Sequence, residues 1–144
     1  MILEQLMEKL RLYMQENNPD VLLQLEEQGE VTKYLNNKMS TVEELLNNPE
    51  SQPEYIIEEL CMEILTVELR PSKFNFICNI LEEEFEPCFI KLRNSGLIWF
   101  EAVNLITHCK PVFEEFGFTI ENEDDRYLRY NIIGAISEYL ERDK

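Results

Sequence analysis

Cysteine and histidine are the side chains of this sequence best suited to chemistry, because a thiolate is a nucleophile and both residue types bind metals. Cysteines stand at positions 61, 78, 88 and 109, and the single histidine is His108. No two cysteines form a C-x-x-C pair, and their spacings match no common zinc motif. His108 adjoins Cys109, and neighbouring residues of a helix point to different faces. The pattern therefore predicts no metal site and no cofactor.

Catalytic motifs are the next feature that could reveal an enzyme. The sequence contains no glycine-rich phosphate loop, no G-x-S-x-G and no H-E-x-x-H motif. Acidic pairs recur along the chain, for example at Glu58-Glu59 and Glu82–Glu84, so their presence marks no particular position. A di-metal helical bundle would need an E-x-x-H pair, but Leu105 stands three residues before His108. We therefore expect no catalytic residue and no enzymatic activity.

The net charge is the most unusual property of the composition. The 144 residues include 29 acidic and 13 basic side chains, which gives a formal net charge of −16. Such a chain is repelled by nucleic-acid phosphates and by anionic lipid, so we expect neither direct nucleic-acid binding nor membrane binding. The excess of acid is compatible with a solvated surface, with a basic protein partner, or with imitation of the charge of DNA.

One acidic cluster lies at the end of a predicted helix and consists of Glu82, Glu83, Glu84 and Glu86. Negative charge at a helix C-terminus opposes the helix dipole and costs roughly a few tenths of a kcal/mol per group. The simpler interpretation is a solvated helix end that pairs with Lys91 or Arg93. The functional hypothesis is an acidic docking patch for a basic partner.

The helix that carries this cluster is expected to organise the fold. Its apolar residues, from Phe74 to Phe85, cover more than half of the helix circumference, which is typical of a helix with neighbours on several sides. Pro71 and Ser72 suit its first turn and its cap. The preceding helix begins near Pro53, and we expect the two helices to form a central antiparallel hairpin over residues 54–85.

The rest of the chain shows the same helical periodicity, interrupted by proline and glycine. Only residues 116–120 resemble a strand, and weakly. The sequence therefore predicts an all-α fold: a single domain over residues 1–144, built as a bundle of six or seven helices. The turn-rich segment 47–53 is predicted to be a flexible loop, and the pattern leaves the helix boundaries between Gln28 and Pro53 open.

The N-terminal residues indicate where the protein is located. Charged residues interrupt the apolar pattern of Met1–Leu10, which predicts neither a signal peptide nor a membrane span. We therefore expect a cytoplasmic protein with reduced thiols.

A helix predicted over residues 97–109 has more apolar surface than one buried face requires. Its core-facing stripe on a helical wheel consists of Ile98, Ala102, Leu105 and Cys109. Trp99, Val103 and Ile106 lie beside that stripe and widen it. Because Trp is the residue most enriched at interface hot spots, these three residues are a candidate contact for a partner or for a homodimer. Core packing is the simpler alternative.

Several short motifs resemble those of one protein family. They are Glu68–Phe74 followed by Ile80–Phe85, Asn17–Pro19, Cys109–Phe113 with Phe116-Gly117, and Tyr127-Leu128 leading to Gly134–Ile136. On these residues the chain resembles an uncharacterised bacterial family carried largely on conjugative transposons of gut-type anaerobes. The resemblance implies a small, all-helical, cytoplasmic protein of mobile-element origin, and it implies no known reaction.

Three functions follow, in order of preference. The first is a non-enzymatic acidic protein of a mobile element, acting as an interaction or regulatory accessory factor. The alternative is a DNA-mimic inhibitor of the anti-restriction type that binds DNA-handling proteins, which the charge of −16 supports. The third is an enzyme of unrecognised type.

Overall fold

A computed structural model describes residues 2–47 and 53–142 of the chain. Over these residues the backbone forms ten α-helices and one short 3₁₀-helix, and no strand. The predicted all-α class is therefore confirmed. The strand-like segment 116–120 is not a strand, because Phe116 ends a helix and Gly117 follows it with a positive φ of 64°.

The chain divides into two compact units, Met1–Arg70 and Pro71–Lys144. The first unit contains α1 (Ile2–Asn17), α2 (Pro19–Gln28), α3 (Val31–Ser40), α4 (Glu43–Asn47), α5 (Glu54–Thr66) and the 3₁₀-helix Val67–Leu69. The second unit contains α6 (Lys73–Glu84), α7 (Glu86–Ser95), α8 (Ile98–His108), α9 (Lys110–Phe116) and α10 (Arg126–Arg142).

The first unit is built around α1, which packs against α2, α3 and α5. Leu6, Leu10 and Met14 recur at helical spacing on one face of α1 and are fully buried. From α5, Cys61 and Leu65 complete the centre of this core. Because buried apolar surface stabilises a fold by about 25 cal/mol per Å², this shared face holds the helices of the unit together.

The second unit is built around α6, the helix that the sequence analysis expects to organise the fold. Ile77, Ile80 and Leu81 are fully buried, and α6 packs most closely against α8. Helix α10 contributes the buried face of Leu128, Ile132 and Ile136 to the same core. Ser72 caps α6 as expected, since its Oγ accepts a hydrogen bond from the Asn75 amide at 3.0 Å.

The predicted central hairpin over 54–85 is divided between the two units. Helix α5 contributes to the core of the first unit and α6 to the core of the second. After α5 the chain passes through a 3₁₀-helix, and Arg70 is extended, with φ of −108° and ψ of 139°. Each unit has a hydrophobic core of its own. The single domain predicted over residues 1–144 stays a prediction.

The number of helices exceeds the six or seven predicted because several short segments are separate helices. Gly29 and Gly96 adopt φ angles of 67° and 73°, and each closes the helix before it. Residues 48–52 of the predicted loop 47–53 lie outside the described residues. On either side of them, Asn47 ends α4 and Pro53 precedes α5.

Candidate functional site

The acidic cluster predicted from the sequence is assembled by the turn between α6 and α7. Glu82, Glu83 and Glu84 occupy the last turn of α6, and Glu86 is the first residue of α7. Phe85 breaks the helical path between them, with φ of −133°, and Pro87 in the next first turn suits the restart. All four glutamates are exposed. The local sequence therefore brings the ends of two helices, and their carboxylates, to one place.

An open groove of about 670 Å³ lies beside this turn, and it is lined by Glu82, Glu83, Glu86, Phe89, Ile90 and Arg93. Phe89 is half-buried and Ile90 is exposed, so the groove has an apolar wall as well as an acidic rim. Such a groove can receive a basic side chain at its carboxylates and an apolar side chain against Phe89 and Ile90.

Two of the four carboxylates have a partner from a distant part of the sequence. Arg129 Nη2, on α10, lies 2.7 Å from Glu83 Oε2 and 3.4 Å from Glu84 Oε1. Pairing with Lys91 or Arg93, which the sequence analysis considered, is absent from the described residues. Over the same residues Glu82 and Glu86 form no ion pair. Glu82 and Glu86 are therefore the carboxylates of the groove that remain available to an incoming cation.

The predicted partner contact on α8 is only in part a surface. Val103 and Ile106 are buried, with 8% and 7% of their area exposed, and Trp99 is half-buried. Val103 and Ile106 therefore pack into the interior, and these two side chains offer almost no surface to a partner. A contact role for Trp99 stays a prediction.

An aromatic residue that the sequence analysis passed over is more exposed than Trp99. Phe100 has 60% of its area exposed, and its ring meets the Trp99 ring edge-on at 5.1 Å. The signal was present on the helical wheel, because Phe100 lies outside the stripe formed by Ile98, Ala102 and Leu105. The sequence analysis considered only the residues beside that stripe, Trp99, Val103 and Ile106, whereas Phe100 lies on the opposite side of the helix.

The cysteines, which are the residues with possible chemical reactivity, are buried or half-buried. Cys61 and Cys109 are fully buried, and all four cysteines are free thiols. Burial raises the pKa of Cys78 and Cys109 to about 11, and the pKa of Cys61 and Cys88 is raised by the same cause. At neutral pH these thiols are protonated, and a protonated thiol is a poor nucleophile and a poor metal ligand.

His108 belongs to a contact between α8 and α10. Its ring centroid lies 5.3 Å from that of Tyr139, and the Tyr139 hydroxyl donates a hydrogen bond to Glu101 Oε1 at 2.5 Å. In the described part of the chain, no group of three or more His, Cys, Asp or Glu side chains is arranged to hold a metal ion. None of the described helices is long and apolar enough to span a membrane.

These features define the class: a small, acidic, all-α protein with an open groove of mixed acidic and apolar character. The chain belongs to the family DUF1896, described as a domain of unknown function, whose family model matches residues 3–144. No curated protein and no solved structure gives a significant match to the chain.

Proposed function

We propose that this protein is a non-enzymatic interaction factor that binds a basic segment of a partner protein in the groove between α6 and α7. The observation that carries the proposal is a groove in which Glu82 and Glu86, which form no ion pair in the described part of the chain, lie beside the apolar wall of Phe89 and Ile90. Charge complementarity accelerates association and selects the partner, while the apolar contact adds affinity.

A regulatory role without catalysis is consistent with the rest of the molecule. The four thiols have raised pKa values, which makes a cysteine nucleophile unfavourable at neutral pH. The motif resemblance described above supports an accessory factor of a mobile element, acting in the cytoplasm. The specific role that we propose is to bind a basic partner protein and thereby change the activity of that partner.

The same groove bears on the alternative of a DNA mimic. A mimic needs carboxylates in an extended row that replaces the phosphates of a duplex. In the acidic patch Arg129 engages Glu83 and Glu84, which leaves two neighbouring carboxylates instead of a longer row. A short basic segment is therefore the better fit to this surface.

The proposal is tested with the full chain and a labelled 12-residue peptide in which lysine pairs flank a central leucine. We expect the charge reversals Glu82→Lys and Glu86→Lys, combined, to weaken binding at least tenfold, as measured by fluorescence anisotropy. The control is Glu115→Lys with Glu121→Lys, which changes the net charge equally at two exposed positions outside the groove. Equal weakening by both pairs would show that the groove has no specific role.

A further inference from the structure

A second surface, in the first unit, lies along α5 and reaches Val67, the first residue of the 3₁₀-helix that follows. Leu60, Ile64 and Val67 have 41%, 47% and 55% of their areas exposed, although they are large aliphatic residues. The adjoining face of the helix, with Ile57, Cys61 and Leu65, is buried in the first core. Helix α5 therefore has two apolar faces, of which one is used by the unit itself.

The spacing of the exposed residues shows that they form one continuous row. Positions 60, 64 and 67 differ by four and three residues, so their side chains stand one above the next on the helix surface. The half-buried Ile56 extends the row by one further turn towards the start of α5. Single exposed aliphatic residues are ordinary, but a row over three turns matches the apolar stripe of another helix laid along it.

The charges beside the row specify the kind of helix that fits. Helix α5 carries four glutamates and neither lysine nor arginine. Lys9 Nζ neutralises Glu58 at 2.5 Å, whereas Glu59 and Glu63 are exposed and their carboxylates form no ion pair within the described residues. On the helical wheel Glu59 and Glu63 lie along one flank of the row. A partner with cations beside its apolar stripe is thus complementary in charge.

A second copy of this chain fits the row poorly. In an antiparallel pair of α5 helices, the flank with Glu59 and Glu63 faces the same acidic flank of the other copy. In a parallel pair it faces the side that carries Ile57 and Cys61, which is buried in the first core. In neither orientation does α5 of a second copy bring a cation to the two glutamates, and like charges across an interface disfavour association.

We propose that the row Ile56, Leu60, Ile64 and Val67 is a docking site for an amphipathic helix of another protein, with lysine or arginine bordering its apolar stripe. The apolar row supplies the contact area, and Glu59 and Glu63 fix the orientation of the bound helix. This site lies in the first unit and uses no residue of the groove between α6 and α7.

The probe is a synthetic 18-residue amphipathic helix with a leucine stripe bordered by lysines, titrated into the full chain and followed by fluorescence anisotropy. We expect it to bind at least tenfold more tightly than a peptide of the same composition in scrambled order, and than one bordered by glutamates. The double variant Leu60→Ser, Ile64→Ser should weaken binding at least tenfold. The matched control is Tyr55→Ser, which alters a residue of α5 that is 68% exposed and lies off the row.

A second variant keeps the test decisive if the serine replacements disturb the fold. Glu59→Lys with Glu63→Lys leaves the apolar row intact and should reverse the preference between the lysine-bordered and glutamate-bordered peptides. The groove variant Glu82→Lys, Glu86→Lys should still bind the 18-residue helix, which separates this site from the proposed function. The proposal would be overturned if the affinity for the 18-residue helix were unchanged in both α5 variants, or if the scrambled peptide bound equally tightly. A dimer in solution that Leu60→Ser, Ile64→Ser dissociates would also overturn it.

Discussion

Arg129 is the residue that determines how much of the acidic patch is available to a partner. Its guanidinium bridges Glu83 and Glu84, and it comes from α10, more than forty positions along the sequence. Exposed ion pairs contribute roughly 0–1 kcal/mol to stability, so the main effect of this contact is on the charge of the surface. Glu82 and Glu86 are the acidic side chains of the groove that are exposed and form no ion pair within the described residues.

The buried thiols give a prediction at the residue scale. Burial raises the pKa of Cys109 from 9.0 to about 11, so above pH 9 the unfolded chain releases a proton that the folded chain retains. The stability that this thiol contributes is fully present below pH 9, and it is lost as the pH rises from 9 to about 11. We expect the urea midpoint to fall over that range.

The control for the pH dependence is the variant Cys109→Ala. Its urea midpoint should fall less steeply over the same pH range, because one titrating group is removed. Alkylation gives an independent measurement on the native protein, because only the thiolate reacts. Cys109 should be modified far more slowly at pH 7.5 than a thiol in a short peptide. Rapid alkylation at that pH, with the fold intact, would contradict a raised pKa.

At the scale of elements, α6 holds the second unit together through one buried face. Leu81 is fully buried there, so Leu81→Ala should lower the free energy of unfolding by roughly 2–5 kcal/mol, because the cavity is only partly filled by relaxation. Urea denaturation monitored by circular dichroism measures the change. Leu97→Ala is the control, since Leu97 has nearly half of its area exposed. A loss below about 1 kcal/mol for Leu81→Ala would contradict a central position of α6.

The helix ends show which parts of an element are encoded locally. Gly29 and Gly96 close helices where the sequence has glycine after an apolar-periodic run, and Pro53 precedes α5 as predicted. These signals act over one or two turns, so they can be found without knowledge of the fold. The pairing of whole helices has no such local signal, and the predicted hairpin of α5 with α6 combined helices that complete different cores.

At the scale of the whole molecule, the net charge should make stability depend on salt. A net charge of −16 destabilises the compact state by self-repulsion, and salt screens that repulsion. We therefore expect the melting temperature to rise between 20 and 300 mM sodium chloride, on the order of a few degrees, as followed by circular dichroism. A melting temperature that falls with salt would mean that the ion pairs, such as that of Lys38 with Glu68, dominate.

A charge variant provides the control for this measurement. Glu27 and Glu115 are exposed. The double variant Glu27→Lys, Glu115→Lys reduces the magnitude of the net charge, from −16 to −12, because each replacement removes one negative charge and adds one positive charge. The salt dependence of this variant should be smaller than that of the natural sequence. An unchanged dependence would show that repulsion between these exposed acids contributes nothing.

The sequence by itself determined the all-α class, several helix ends, the acidic character and the position of the Glu82–Glu86 cluster. Each depends on spacing or composition within a few residues, where helical periodicity and capping act directly. The resemblance carried by its short motifs also pointed to an uncharacterised family, in agreement with the family match.

The tertiary structure alone decided which helices share a core and which apolar faces remain exposed. Val103 and Ile106 are buried while Phe100, Leu60 and Ile64 are exposed, although all five are apolar residues of helices. The distinction depends on the elements that pack against each face, and those come from distant parts of the chain. For the same reason only the folded structure shows that Arg129 reaches the acidic patch.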